Sequence, residues 1–169
     1  GSADAAATLI FLRKLFNNET KINKISKKIL FEIGKKLGSD VPSCIESKDL
    51  KLKGYGDKLF KNKIPNGFYF LLINPNIKLS TKSVFNYFDK TQEKQYERTN
   101  IFWENIKINN SLLSSAINLA PEISHIINKL ENSKNIIAYS MTGSGSSCFG
   151  IFKNLNDLKD SLKYFNTNY

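Results

Sequence analysis

Residues 135–152 read NIIAYSMTGSGSSCFGIF. Two apolar runs, NIIAYS and CFGIF, have the length and content of strands, and MTGSGSS lies between them. A hairpin turn needs only one or two glycines, and this connection is small or hydroxylated almost throughout. Gly143 and Gly145 let a backbone come close to a ligand. Thr142, Ser144, Ser146 and Ser147 add hydroxyl donors. Taken alone, the stretch fits a plain glycine-rich hairpin and a ligand-binding loop equally well.

Outward from this hairpin the pattern alternates. Upstream, SLLSSAINLAPEISHIINKLE (111–131) predicts two helices, the second begun by Pro121 at a favourable first-turn position. Downstream, LNDLKDSLKYF (155–165) predicts a last helix. Further upstream, GFYFLLINP (67–75) reads as a buried strand. STKSVFNYF (80–88) reads as a helix capped by Ser or Thr, and the polar stretch 88–100 as a mobile loop. Strands and helices mixed in this order define an α+β class. The turn signal IPNG (64–67) marks a domain boundary, which gives residues 1–64 and 65–169 as two domains.

In the first of these, residues 4–17 predict a helix on alanine and leucine content. Ile22, Ile25, Ile29, Ile33 and Leu37 then form one apolar helical stripe that Gly38 stops. Pro42 biases Val41 away from helix, so SDVP predicts a tight extended connection. SCIES, LKLKGYG and DKLFK follow as short strands and turns.

The bulk numbers set limits. The chain has 169 residues, 41% hydrophobic, enough for one domain or two small ones. No apolar run is long enough to span a membrane. The formal net charge is +10, but the lysines are dispersed and sit on amphipathic helices, so charge does not single out a nucleic-acid partner. Cys44 and Cys148 lack metal-site spacing and read as free thiols of a reducing compartment.

Two further stretches can carry chemistry. GSADAAATL (1–9) places Gly1 and Ser2 at a helix start, where free N–H groups and the helix dipole favour a phosphate. Ser2 can add a hydroxyl, and Asp4 suits the dipole or a metal; simple capping explains the same residues. LGSDVPSC (37–44) fixes Asp40 in a tight loop, where a carboxylate can take a hydroxyl proton or merely cap a turn or pair with a lysine. His125 reads as a half-buried helix residue, Trp103 as packing, and Phe85 and Tyr87 as core or as ring-stacking groups.

In this order GSADAAATL, LGSDVP, GYGDKL and MTGSGSSCFG resemble the GHMP kinase superfamily, and within it the 4-diphosphocytidyl-2-C-methyl-D-erythritol kinases. The resemblance covers nearly the whole chain. It implies a partial N-terminal domain like ribosomal protein S5 over 1–64, holding ATP, and a ferredoxin-like C-terminal domain over 65–169, with the active site in the cleft between them. It further implies a segment before Gly1 that carries a catalytic lysine and the adenine pocket, so the chain is expected to be an N-terminally truncated fragment and inactive alone.

By position, Asp40 would be the catalytic base. Gly1, Ser2 and Asp4 would hold ATP phosphates and Mg2+, with no metal site built from protein ligands alone. Gly143, Ser144 and Gly145 would close a third loop on phosphate and acceptor. Phe85 would stack on the cytosine of a cytidine diphosphate-linked methylerythritol, and Thr81 would touch its polar part. The implied protein is cytoplasmic, a small-molecule enzyme without nucleic-acid or membrane partners. Ala3, where a second serine is common, and INNSLL (108–113), where an NDLE-like start is common, depart from the pattern. The rival readings are a homoserine- or mevalonate-type GHMP kinase and a basic nucleic-acid-binding module.

Overall fold

The computed structural model describes residues 1–20, 24–56, 58–91 and 101–166. The chain divides into two compact units, Gly1–Ile64 and Pro65–Tyr169.

The first unit is built from α1 (Ser2–Glu19), α2 (Lys27–Leu37), α3 (Val41–Glu46) and a hairpin of β1 (Leu50–Lys53) and β2 (Lys58–Lys61). Its small core is Ala6, Leu30, Val41 and Ile45, where the three helices meet. A Cβ on Gly34 would lie 3.0 Å from Ile45 Cδ1 and 3.2 Å from Val41 Cγ1, so α2 and α3 pack backbone to side chain. Here the structure corrects the sequence reading. Residues 41–46 are helical, not extended. Pro42 sits in the first turn, where its missing N–H has no helical partner to lose. Val41 and Ile45, one turn apart, both bury against the neighbouring helices, and that burial outweighs the preference of a residue before proline. The isoleucine stripe is also displaced. Ile29, Ile33 and Leu37 are exposed, while Leu30 and Gly34 face the core; Ile22 lies outside the described residues.

The second unit holds an antiparallel sheet in the order β3 (Tyr69–Ile73), β7 (Cys148–Phe152), β6 (Ile136–Met141). The other elements are α4 (Thr81–Thr91), a hairpin of β4 (Ile101–Trp103) and β5 (Ile106–Ile108), α5 (Leu113–Leu119), α6 (Glu122–Glu131) and α7 (Leu155–Asn166). The core joins Leu71 and Ile73 of β3, Cys148 and Phe152 of β7 and Tyr139 and Met141 of β6 to the apolar faces of α5, α6 and α7. α6 supplies Ile123, Ile126, Ile127 and Leu130, the three- and four-residue spacing of a buried face. It lies so close to the sheet that a Cβ on Gly150 would be 2.9 Å from Leu130 Cδ2.

The other sheet face is partly covered. Phe70, Ile151 and Ala138 lie side by side across the three strands. Trp103 is buried against them, with the rings of Phe68 and Phe70 edge-on at 5.5 and 5.4 Å. Phe70 and Leu72 stay exposed, so β3 is buried on one face, not on both as its composition predicts. The sequence reading also missed the β4–β5 hairpin, whose signal is the alternation IFW-EN-IKI with Glu104 in the left-handed region. The expected loop 88–100 begins as the last turn of α4, and residues 92–100 lie outside the described residues. No helix among the described residues is long and apolar enough to cross a membrane.

Cys44 and Cys148 are both free. Burial pushes the Cys148 thiol up to about 12, so it is protonated at neutral pH and unreactive. A thiol reagent at pH 7.5 is expected to modify Cys44 in the folded protein and Cys148 only after denaturation; equal rates would contradict the packing. Leu130→Ala, which empties a fully buried position, is expected to cost roughly 2–5 kcal/mol in denaturant unfolding.

Candidate active site

The loop between β6 and β7 is held from three directions. On its first limb, Asn110 Nδ2 donates to the carbonyls of Met141 and Gly143, each at 2.8 Å. On its last limb, Ser146 Oγ donates to the Ile77 carbonyl at 2.9 Å, and Asn74 Nδ2 donates to Ser147 Oγ at 3.0 Å. At the apex, Ser144 Oγ and Thr81 Oγ1 share a hydrogen bond of 2.9 Å. Thr142 N–H to the Ser147 carbonyl closes the base. The loop is thus fixed before any ligand arrives.

Its two glycines differ. Gly145, at φ +89°, has no room for a Cβ, which would fall 2.8 Å from Met141 Sδ and 3.1 Å from Leu79 Cδ2. Gly143, at φ +57°, has nothing within 4 Å of that position and faces open space. The N–H groups of Gly143 and Ser144 have no acceptor among the described residues. Adjacent unpaired N–H groups beside a left-handed residue are an anion-binding arrangement.

Thr81 begins α4, whose first turn is capped by Ser80 Oγ accepting from Ser83 N–H. One turn on, Val84 is buried and Phe85 is 48% exposed. The helix therefore spends Val84 on the core and leaves the Phe85 ring free to stack. The structure brings Thr81 and Ser144 into contact and sets Phe85 one turn along the same helix. A groove lined by Asn74, Ile77, Leu79, Ser80 and Ser146 runs beside the loop, with a volume of about 420 Å³. His125, expected half-buried, is exposed on α6 away from the loop residues.

The other candidates belong to the first unit. Ser2 opens α1 and is half-buried. Asp4 is exposed in the first turn of α1. Asp40 precedes α3, where its backbone carbonyl accepts from Ser43 Oγ at 2.8 Å. Its side chain neither caps that helix nor joins an ion pair among the described residues, and its nearest donor is Ser39 Oγ at 3.4 Å. The β1–β2 turn presses on this loop, since a Cβ on Gly56 (φ +85°) would lie 2.8 Å from the Ser39 carbonyl oxygen. Asp40 is an exposed carboxylate on a constrained backbone. Ser2 and Asp4 are hard oxygen donors that suit Mg2+ only if phosphates and water complete its shell; no cluster of three metal-binding side chains occurs among the described residues.

Residues 98–169 match the family model described as GHMP kinases C terminal. Over 97% of this chain, a 4-diphosphocytidyl-2-C-methyl-D-erythritol kinase of Ehrlichia canis is 36% identical, and the chain covers 59% of that relative. The kinase of the same name from Thermoanaerobacter pseudethanolicus is 34% identical over 96% of this chain, which spans 57% of it. Residues 98–169 thus make up a GHMP kinase C-terminal domain. A crystal structure of a 4-(cytidine 5'-diphospho)-2C-methyl-D-erythritol kinase superposes with a TM-score of 0.73, covering 98% of this chain and 60% of the other at 22% identity. The α+β arrangement is thus a GHMP kinase fold, and the chain spans under two thirds of the length of these relatives.

Sequence reading missed Asn74 and Asn110. Each follows a strand and precedes a helix, and asparagine there reads as ordinary turn chemistry. Gly145→Ala is expected to lower stability by more than the roughly 1–2 kcal/mol of left-handed backbone strain, because the methyl also meets Met141. Gly143→Ala should pay the strain alone. Thermal melts of the two variants check the order, and an equal or reversed ranking would contradict the loop geometry.

Proposed function

We propose that this chain is part of an ATP-dependent kinase that phosphorylates the 2-hydroxyl of 4-diphosphocytidyl-2-C-methyl-D-erythritol, a step of isoprenoid synthesis by the methylerythritol phosphate route. The observation that carries this reading is the similarity to kinases of that name along 96–97% of the chain, at 34–36% identity. The side chains supply suitable chemistry. In this reading the N-terminus of α1, with Gly1, Ser2 and Asp4, takes ATP phosphates and their Mg2+. The metal neutralises phosphate charge when bound.

Asp40 accepts the proton of the acceptor hydroxyl, a role open to an exposed carboxylate that the substrate can reach. The N–H groups of Gly143 and Ser144 hold phosphate oxygens, and Thr81 steadies Ser144. Phe85 stacks on the cytosine, for which an exposed ring at the start of α4 is suited. In this reading the protein is a small-molecule enzyme of the cytoplasm.

The test is ADP release by the full-length gene product with ATP, Mg2+ and the cytidine substrate, beside Asp40→Asn and Phe85→Ala copies. Asp40→Asn is expected to lower kcat about 10²–10⁴-fold. Phe85→Ala is expected to raise KM for the cytidine substrate on the order of tenfold, from the lost stacking, with KM for ATP unchanged. Turnover of homoserine or mevalonate in place of the cytidine substrate would move the assignment to another GHMP kinase. Salt-sensitive binding to DNA or RNA without turnover would overturn it.

A further inference from the structure

We propose that Asn110 is the positioning residue of the β6–β7 loop, aiming the Ser144 N–H at a phosphate oxygen of the bound ligand; this deepens the kinase reading and rests on it for the identity of that ligand. Asn110 lies between β5 and α5 and uses one planar amide three ways. Nδ2 donates to the Met141 and Gly143 carbonyls at 2.8 Å each, and Oδ1 accepts from the Leu112 N–H at 3.0 Å. The first bond holds the end of β6, the second the start of the loop, and the third the entry to α5.

The Gly143 bond has a geometric consequence. In a planar trans peptide the C=O and the following N–H point in opposite directions. Drawing the Gly143 carbonyl onto Asn110 therefore turns the Ser144 N–H away from α5. That N–H has no acceptor among the described residues, and the space over Gly143 is open. Gly143 itself is at φ +57°, a conformation with little steric preference for glycine, so an outside hydrogen bond is needed to select it. Few other side chains can do this. Aspartate would set carboxylate oxygen against two carbonyls, and serine carries a single donor.

The test uses Asn110→Ala and Asn110→Asp in the full-length protein, read in two ways. In the kinase assay both folded variants are expected to lose at least tenfold in kcat with KM for the cytidine substrate within threefold. The deficit of Asn110→Asp relative to the unaltered protein should shrink as pH falls, because the protonated carboxyl regains one donor. The second readout needs no turnover. Inorganic pyrophosphate should shift the backbone amide resonance of Ser144 in the unaltered protein and not in Asn110→Ala.

An amide response without any kinase activity would support the loop assignment and sink the kinase reading alone. Unchanged kcat in folded variants, or no pyrophosphate shift at Ser144 in the unaltered protein, would overturn the proposal. Should Asn110→Ala fail to fold, Asn110→Asp keeps the Leu112 bond and the side-chain shape, and its pH response decides.

Discussion

The structure of the second unit turns on the missing side chain of Gly145. A loop that leaves N–H groups open must stand clear of the core, yet a loop held in one conformation must be fastened to it. Gly145 meets both demands. Its backbone rests on Met141, Leu79 and Ile123, with a Cβ position only 2.8 Å from Met141 Sδ. Those three side chains belong to the core or pack directly on it. The same packing that buries α6 on the sheet thereby fixes the height of the loop. Two residues earlier, Gly143 has nothing around it. One glycine is the anchor and the other the opening.

Much of this was legible in the sequence, for identifiable reasons. The β6–β7 hairpin announced itself through two apolar runs around a connection too rich in small residues for a turn. α6 was legible because Ile123, Ile126, Ile127 and Leu130 follow the helical period and are all buried. The period misled where cover is lacking. Ile29 and Ile33 repeat just as well, yet they are exposed while Leu30 and Gly34 face α3. A stripe states which residues share a face; it does not state which neighbour that face meets. α3 was illegible for a different reason. A six-residue helix offers one turn of pattern, and proline dominates its reading, although burial of Val41 and Ile45 decides the outcome.

The site divides in the same way. Chemically marked residues could be read, because hydroxyls, glycines and a carboxylate in loops are uncommon needs of packing. Thr81 and Ser144, 63 positions apart, could be named but not paired, and only the fold gives their 2.9 Å contact. Phe85 reads in the sequence as core or as a ring-stacking group, and the structure leaves it exposed because Val84 takes the buried position on α4. Asn74 and Asn110 were invisible. Each serves the loop through carbonyls and a hydroxyl far away in sequence, and nothing local distinguishes such an asparagine from one that closes its own turn.

Asp40 illustrates how a carboxylate can remain available in a basic chain. Lys and Arg number 25 against 15 Asp and Glu, so random placement would give most acids a cationic neighbour. Glu46, six residues on, takes two, Lys27 and Lys48, which hold its carboxyl below the ordinary range. Asp40 takes none among the described residues. Its backbone explains the difference. The Ser43 hydroxyl holds its carbonyl, and Gly56 brings the β1–β2 turn against Ser39 by backbone contact alone. The loop around Asp40 is thus shaped by small residues and main chain, which constrain the carboxylate without neutralising it. Any longer side chain at position 56 would have to displace the Ser39 carbonyl, and with it the backbone that carries Asp40.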